Sequence, residues 1–279
     1  MKIPDEVRKA IGFVAYEDKQ NSSIIPVGTF FFLGHDPIDG ASTSSKMYAI
    51  TARHVIDGLK MKGCEDLTLR LNAQKVGDPL ITKSVKLDDW FFHPSNNSID
   101  VAILEMGIPA GADHLVIPFS MCANDRIFMD HEVGLGDEIF VSGLFRHHFG
   151  KHRNIPIVRT GNLAALGEER VETKTFGEID ALLVEARSIG GLSGSPVFLN
   201  LGITRQIGGQ IKHATGNRPI FYLLGLLHGH FDSPGGQVDV AEEDAFTNEK
   251  INAGIAVVVP IEKVHEVIRA YEAAMALPE

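Results

Sequence analysis

The chain has 279 residues, enough to bury a substantial core as one large domain or as two smaller ones. Its 44% hydrophobic and 22% charged residues are those of a globular protein and exclude a disordered or fibrous one. A formal net charge of -10 argues against any general affinity for nucleic acid or anionic membrane, both of which need basic surface.

At the N-terminus the apolar stretch 10–16 is short and bounded by charges, and no small-residue cleavage site follows, so it does not read as a secretory leader. No other apolar run is long enough to span a bilayer, and with Met1 as the natural start the expected location is the cytoplasm. Short strands are predicted at 11–16, 27–33, 47–51, 67–71, 101–104, 138–142, 155–158, 181–185, 196–199, 221–227 and 254–259, separated by Gly, Asn, Asp and Pro. A short helix is expected after His54, and the aperiodic, proline-bearing region 108–133 reads as a connection between two halves. Residues 262–274 place Val264, Val267, Ile268 and Tyr271 at helical spacing and predict one closing helix. So many strands without regular intervening helices predict an all-β sandwich or barrel. Cys64 and Cys122 share no metal-site or redox spacing and read as small apolar groups, with no disulfide framework.

Three segments carry chemistry. In Tyr48-Ala-Ile-Thr-Ala-Arg-His-Val-Ile-Asp57 an apolar strand runs into His54, which alone would be structural. In Ile99-Asp-Val-Ala-Ile-Leu104 a carboxylate opens an otherwise apolar strand, and a buried carboxylate needs a donor. In Gly190-Gly-Leu-Ser-Gly-Ser-Pro-Val-Phe198 a serine lies between glycines in a tight turn, where the backbone N–H groups of Gly191 and Ser193 can converge on one oxygen. Taken singly, the last is also what a plain Gly/Ser turn before a strand looks like. Taken together, His54, Asp100 and Ser193 follow one of the chain orders of the acyl-transfer triad, 46 and 93 residues apart.

These motifs resemble those of the trypsin-like serine peptidases, especially the bacterial HtrA-like and glutamyl-endopeptidase branches. Thr51-Ala-Arg-His-Val, Asp100-Val-Ala-Ile-Leu and Gly191-Leu-Ser-Gly-Ser-Pro-Val-Phe carry the likeness. Weaker echoes are Val27-Gly-Thr-Phe-Phe-Phe, Gly136-Asp-Glu-Ile-Phe-Val-Ser-Gly and Gly254-Ile-Ala-Val. The resemblance implies two six-stranded antiparallel β-barrels with a C-terminal helix. Residues 1–118 would carry His54 and Asp100, residues 119–279 would carry Ser193, and the site would lie in the cleft between them. It further implies a serine endopeptidase working through an acyl-enzyme, with an oxyanion hole from Gly191 and Ser193 and no metal or organic cofactor. The partners implied are a protein or peptide substrate and an activating protein, with no nucleic acid or membrane. A catalytically silent barrel acting as a protein-binding module is the alternative, against which the intact triad counts.

Leu192 stands where the zymogen-activated members carry an acid, so activation by N-terminal trimming is not expected. Arg53 is expected to point away as a surface residue. By resemblance, the substrate pocket draws on Arg187, Ser188 and Ile189 and on Leu227, His228 and Gly229. A cation at its base would select acidic side chains; with Arg187 at the surface, the pocket is instead small and apolar. Residues 200–220 and the acidic stretch 232–253 read as insertions near that pocket, either a lid or docking surface or plain solvated loops. His147, His148 and His152 read as a basic surface loop rather than a metal site.

Overall fold

A computed structural model describes residues 3–18, 23–34, 46–186, 190–214, 220–230 and 254–276. The first half is one seven-stranded sheet built from β1 (Ile11–Asp18), β2 (Ser23–Gly34), β3 (Met47–Thr51), β4 (Asp66–Leu71), β5 (Ile81–Lys86), β6 (Ala102–Glu105) and β7 (Val116–Pro118). Its hydrogen-bonded order is β5-β4-β1-β2-β3-β6, with β7 added in parallel to β2. Phe30, Phe31, Phe32 and Leu33 of β2 are all buried, so this central strand is covered on both faces and reads as a continuous apolar run. At the edge, β5 buries only Val85 and shows Lys83 and Lys86 to solvent, which guards a free edge against pairing.

The second half is a closed barrel in the order β12-β17-β16-β13-β8-β9. Its strands are β8 (Glu138–Gly143), β9 (Ile157–Ala165), β12 (Leu182–Glu185), β13 (Pro196–Gly202), β16 (Ile220–His230) and β17 (Ile255–Pro260). Two hairpins stand outside it, β10 (Val171–Thr173) with β11 (Gly177–Ile179) and β14 (Thr204–Ile207) with β15 (Gln210–His213). The second fills much of the region read as the 200–220 insertion. Gly208 and Gly209 both have positive φ, the backbone that a two-residue hairpin turn demands. Arg205 docks this hairpin through a forked pair to Asp137 at 2.7 and 2.6 Å.

The all-β, two-barrel architecture with a closing helix is the one expected, although hydrogen bonding closes the second barrel and leaves the first sheet open at β5 and β6. The connection 108–133 holds more structure than its lack of periodicity suggests. It contains β7, a 3₁₀ turn and the helix α2 (Asp125–Asp130), whose Asn124 cap accepts from the Ile127 N–H. Elements of three to six residues are too short to show a period.

Two features fasten the halves together. The final helix α3 (Ile261–Met275) buries Ile261, Val264, Val267 and Ile268 and packs on β6, β16 and β17. Tyr271 meets Tyr48 and Phe91 edge-on at 6.1 and 5.3 Å, and the Tyr48 hydroxyl donates to Glu272 at 2.9 Å. On another side, the buried Asn154 donates through Nδ2 to Arg70 O at 2.6 Å and exchanges two bonds with Asn72, at 2.6 and 3.1 Å. Cys122 is buried, Cys64 is half-buried, and both are free thiols. Among the described residues, no helix is long and apolar enough to cross a membrane.

Candidate active site at the junction of the two halves

β3 ends at Thr51 and the helix α1 (Arg53–Met61) begins almost at once, so His54 lies in the first turn of a helix rather than at a strand end. The first turn of any helix has N–H groups without intrahelical partners. Ala52 at the cap position offers no side-chain acceptor, and Asp100 takes that place from the neighbouring chain segment. Its Oδ1 accepts the His54 backbone N–H at 2.8 Å, while its Oδ2 lies 2.8 Å from His54 Nδ1. Asp100 sits just ahead of β6, next to the apolar run Val101–Leu104, and is 0% exposed. The donor that its burial demands is therefore His54, twice over.

A second histidine completes the group. His228 Nδ1 lies 2.5 Å from the same Asp100 Oδ2, and the two imidazoles meet edge-to-face with centroids 5.2 Å apart. His54, Asp100 and His228 are the one cluster of ligand-type side chains among the described residues. His147, His148 and His152 form no such cluster, and all three are exposed.

Burial opposes charge on His54, but the Asp100 carboxylate outweighs it, through its charge and its hydrogen bond, and holds the imidazole above its ordinary value of 6.5. Burial likewise disfavours the ionised form of Asp100. The His54 charge and the bonds from His228 and His54 overcome it, leaving the carboxyl well below its usual range.

The serine turn, Gly191 to Ser195, arrives from the second half. Gly191 has φ +100° and Gly194 has φ +80°, backbone that favours glycine. At Gly194 a Cβ would lie 2.3 Å from Thr29 O and 2.4 Å from Thr51 Oγ1, so the turn is pressed against β2 and β3. Thr29 holds it there. Its hydroxyl donates to Gly191 O at 3.0 Å and accepts the Leu144 N–H at 2.9 Å, while its N–H donates to Ser193 O at 2.9 Å. The Gly194 N–H donates to Leu227 O and the Leu227 N–H to Ser195 O, each at 2.8 Å, stitching the turn to β16 as well. The N–H groups of Gly191 and Ser193 have no hydrogen-bond partner among the described residues.

Ser193 Oγ donates to the backbone carbonyl of His228 at 3.2 Å, not to His54. The three expected catalytic residues thus share one neighbourhood, with the serine hydroxyl turned toward β16. Of the expected pocket residues, Arg187, Ser188 and Ile189 lie outside the described residues, as does the acidic stretch 232–253. Leu227 is buried and bonded into the serine turn, and the His228 ring is committed to Asp100. Gly229 follows on the half-buried end of β16.

Arg53 corrects one expectation. It is no free surface cation, because a first-turn helical side chain lies along the helix instead of alternating as in a strand. Its side chain is only 20% exposed, bonds Asp57 and Asn97 at 3.2 Å each, and lies over the rings of Phe92 and Phe176. Phe176, from the β10–β11 hairpin, also approaches the His228 ring, at 5.9 Å.

Thr29 and Phe176 are the site residues that the motif reading passes over. For Thr29 a signal existed, in the Val27-Gly-Thr segment. For Phe176 there was none, since one aromatic between turn residues looks like any hairpin.

No protein-family model matches the sequence, and no curated protein sequence does. Among solved structures, the fold is similar to the MamO protease domain from Magnetospirillum magneticum in its apo form. That alignment has a TM-score of 0.52 at 14% identity and covers 94% of this chain and 96% of that one. A structure of Deg5 aligns over 95% of this chain and 89% of that one, at 14% identity and a TM-score of 0.49. The chain has the trypsin-like protease fold.

Proposed function

We propose that the chain is a serine endopeptidase in which Ser193 is the nucleophile, His54 the general base and acid, and Asp100 the residue that orients His54. The observation that carries this reading is the pair of hydrogen bonds from His54 to Asp100, through the backbone N–H and through Nδ1, beside a serine turn whose Gly191 and Ser193 N–H groups have no partner among the described residues. Because a carboxylate only accepts, Nδ1 carries the proton, and in the neutral ring Nε2 keeps the lone pair that a base needs.

On this reading Ser193 Oγ bonds to the carbonyl carbon of a peptide while its proton passes to His54 Nε2. The oxyanion is held by the N–H groups of Gly191 and Ser193, a contribution in which each donor is typically worth about 10²–10³ in rate. Collapse breaks the C–N bond, and the His54 proton leaves with the amine. Water then attacks the acyl-enzyme by the same route in reverse.

One observation favours a partner-gated form of this reading. The Ser193 hydroxyl rests on the His228 carbonyl, so its proton must be redirected to His54 before attack. An activating protein that reshapes the nucleophile turn would supply that step, and full peptidase activity of the isolated protein would refute the need for it.

The test is labelling with a fluorophosphonate probe, followed by intact mass, for the wild type and Ser193→Ala. One adduct on wild type and none on the variant is expected. Equal labelling of both, or none on wild type in the presence of peptide and candidate partners, would sink the assignment.

A further inference from the structure

The motif that suggests a triad has no place for His228, yet its ring lies as close to the buried carboxylate as that of His54. Three donors converge on Asp100: the His54 N–H on Oδ1, and the Nδ1 atoms of His54 and His228 on Oδ2, at 2.8, 2.8 and 2.5 Å. The position arises from an irregularity in the barrel. Where β16 pairs with β17, the register shifts between Leu227 and Gly229, so His228 is the extra residue of a bulge. A bulge re-aims a side chain that regular alternation would send elsewhere. Here it turns the imidazole in toward Asp100, where 11% of the side chain stays exposed.

The same residue reaches the nucleophile by its backbone, since its carbonyl accepts the Ser193 hydroxyl at 3.2 Å. Its neighbour Leu227 bonds Gly194 and Ser195 on either side. One bulged residue therefore touches the carboxylate with its side chain and the serine with its main chain.

We propose that His228 is a positioning residue of this site: its Nδ1–H is a second imidazole donor to Asp100, and through it the carboxylate, the His54 ring and the nucleophile turn are held in one register. This rests on the peptidase reading above. Asp100 Oδ2 can only accept, so both rings present Nδ1–H to it. A charge-assisted bond to a buried carboxylate is among the stronger hydrogen bonds, and its loss leaves the carboxylate oxygen one donor short.

Two variants separate the donor from the ring. His228→Asn keeps an N–H donor near the place of Nδ1, whereas His228→Phe keeps a ring of similar girth and removes the donor. In the resting protein with ¹⁵N-labelled histidine, two downfield Nδ1–H resonances are expected in wild type. Both should be lost in Asp100→Asn, and the His228 resonance alone in His228→Asn. In His228→Phe the remaining His54 resonance should broaden as its acceptor loosens.

In fluorophosphonate labelling, His228→Phe is expected to react roughly tenfold or more slowly, as follows from losing one bond to a charged group. His228→Asn should recover most of that rate. A single Asp100-dependent resonance in wild type would overturn the proposal, as would wild-type labelling by a folded His228→Phe. If wild type does not label even with peptide and candidate partners present, the peptidase reading falls, and the resonances still decide whether His228 holds Asp100.

Discussion

The Thr29 hydroxyl donates to the Gly191 carbonyl at 3.0 Å and at the same time accepts the Leu144 N–H at 2.9 Å, so one buried side chain of the first sheet joins two loops of the second half. Gly191 and Leu144 are both buried, and an unpaired buried polar group costs about 1–3 kcal/mol. Thr29→Val, which keeps the shape and removes the hydroxyl, is expected to lower stability by about that amount for each of the two groups. It should also release the nucleophile turn and slow fluorophosphonate labelling by about tenfold. Urea unfolding together with labelling rates checks both, and an unchanged midpoint would show that the turn stands without this bond.

Gly194 meets two obstacles to a side chain at once. Its φ of +80° is strained for any L-residue with a Cβ, and that Cβ would fall 2.3 Å from Thr29 O. The obstacle is backbone, which cannot swing aside as a long side chain can. Gly194→Ala is expected to lose labelling of Ser193 while the far-ultraviolet circular dichroism stays that of a β protein. Wild-type labelling in this variant would mean that the turn has room to shift.

What the sequence makes legible here is short in range. Asp100 is readable because a carboxylate at the head of Val101–Leu104 must find a donor, and the serine turn is readable because Gly191 and Gly194 flank Ser193 and supply its positive-φ backbone. α3 is readable because it is long enough to show a period. By contrast β5 buries one residue in six, and α2 spans only six residues, so neither carries a pattern. His228 is legible only by resemblance, as a pocket residue, and its bond to Asp100 is not. That bond depends on a register shift between β16 and β17, which the residues of β16 alone do not announce. Arg53 fails for a nearer reason, since the helix expected after His54 already begins at Arg53.

Between the halves, Asn154 makes three bonds that tie the loop ahead of β9 to β4 and the residue after it, at 2.6, 2.6 and 3.1 Å. Two of these are made by its own backbone and survive truncation. Asn154→Ala removes only the Nδ2 donor to Arg70 O, which is buried. Asn72→Ala removes the partner of both backbone groups. The second variant is therefore expected to cost more, about 1–3 kcal/mol per group left dry, and the first less. Equal shifts in urea midpoint would show that water replaces Asn72.

The pH dependence follows from the direction in which Asp100 moves His54. A base must be neutral to take the serine proton, and the Asp100 carboxylate holds His54 protonated to higher pH than its ordinary 6.5. The acid limb of Ser193 labelling should accordingly lie above pH 6.5, and Asp100→Asn should move it down while lowering the plateau. Stability runs in two opposite senses. A histidine raised on folding stabilises fully below its unfolded value of 6.5 and loses that contribution as pH rises through its folded value. A carboxyl lowered on folding stabilises above its unfolded value of 3.8 and loses that contribution as pH falls through its folded one. The pair therefore stabilises most between those two unfolded values, and urea midpoints measured across pH should fall away on both sides in wild type. In Asp100→Asn both slopes assigned to this pair should flatten. An acid limb at or below 6.5 in wild type would mean that burial, not the carboxylate, governs His54.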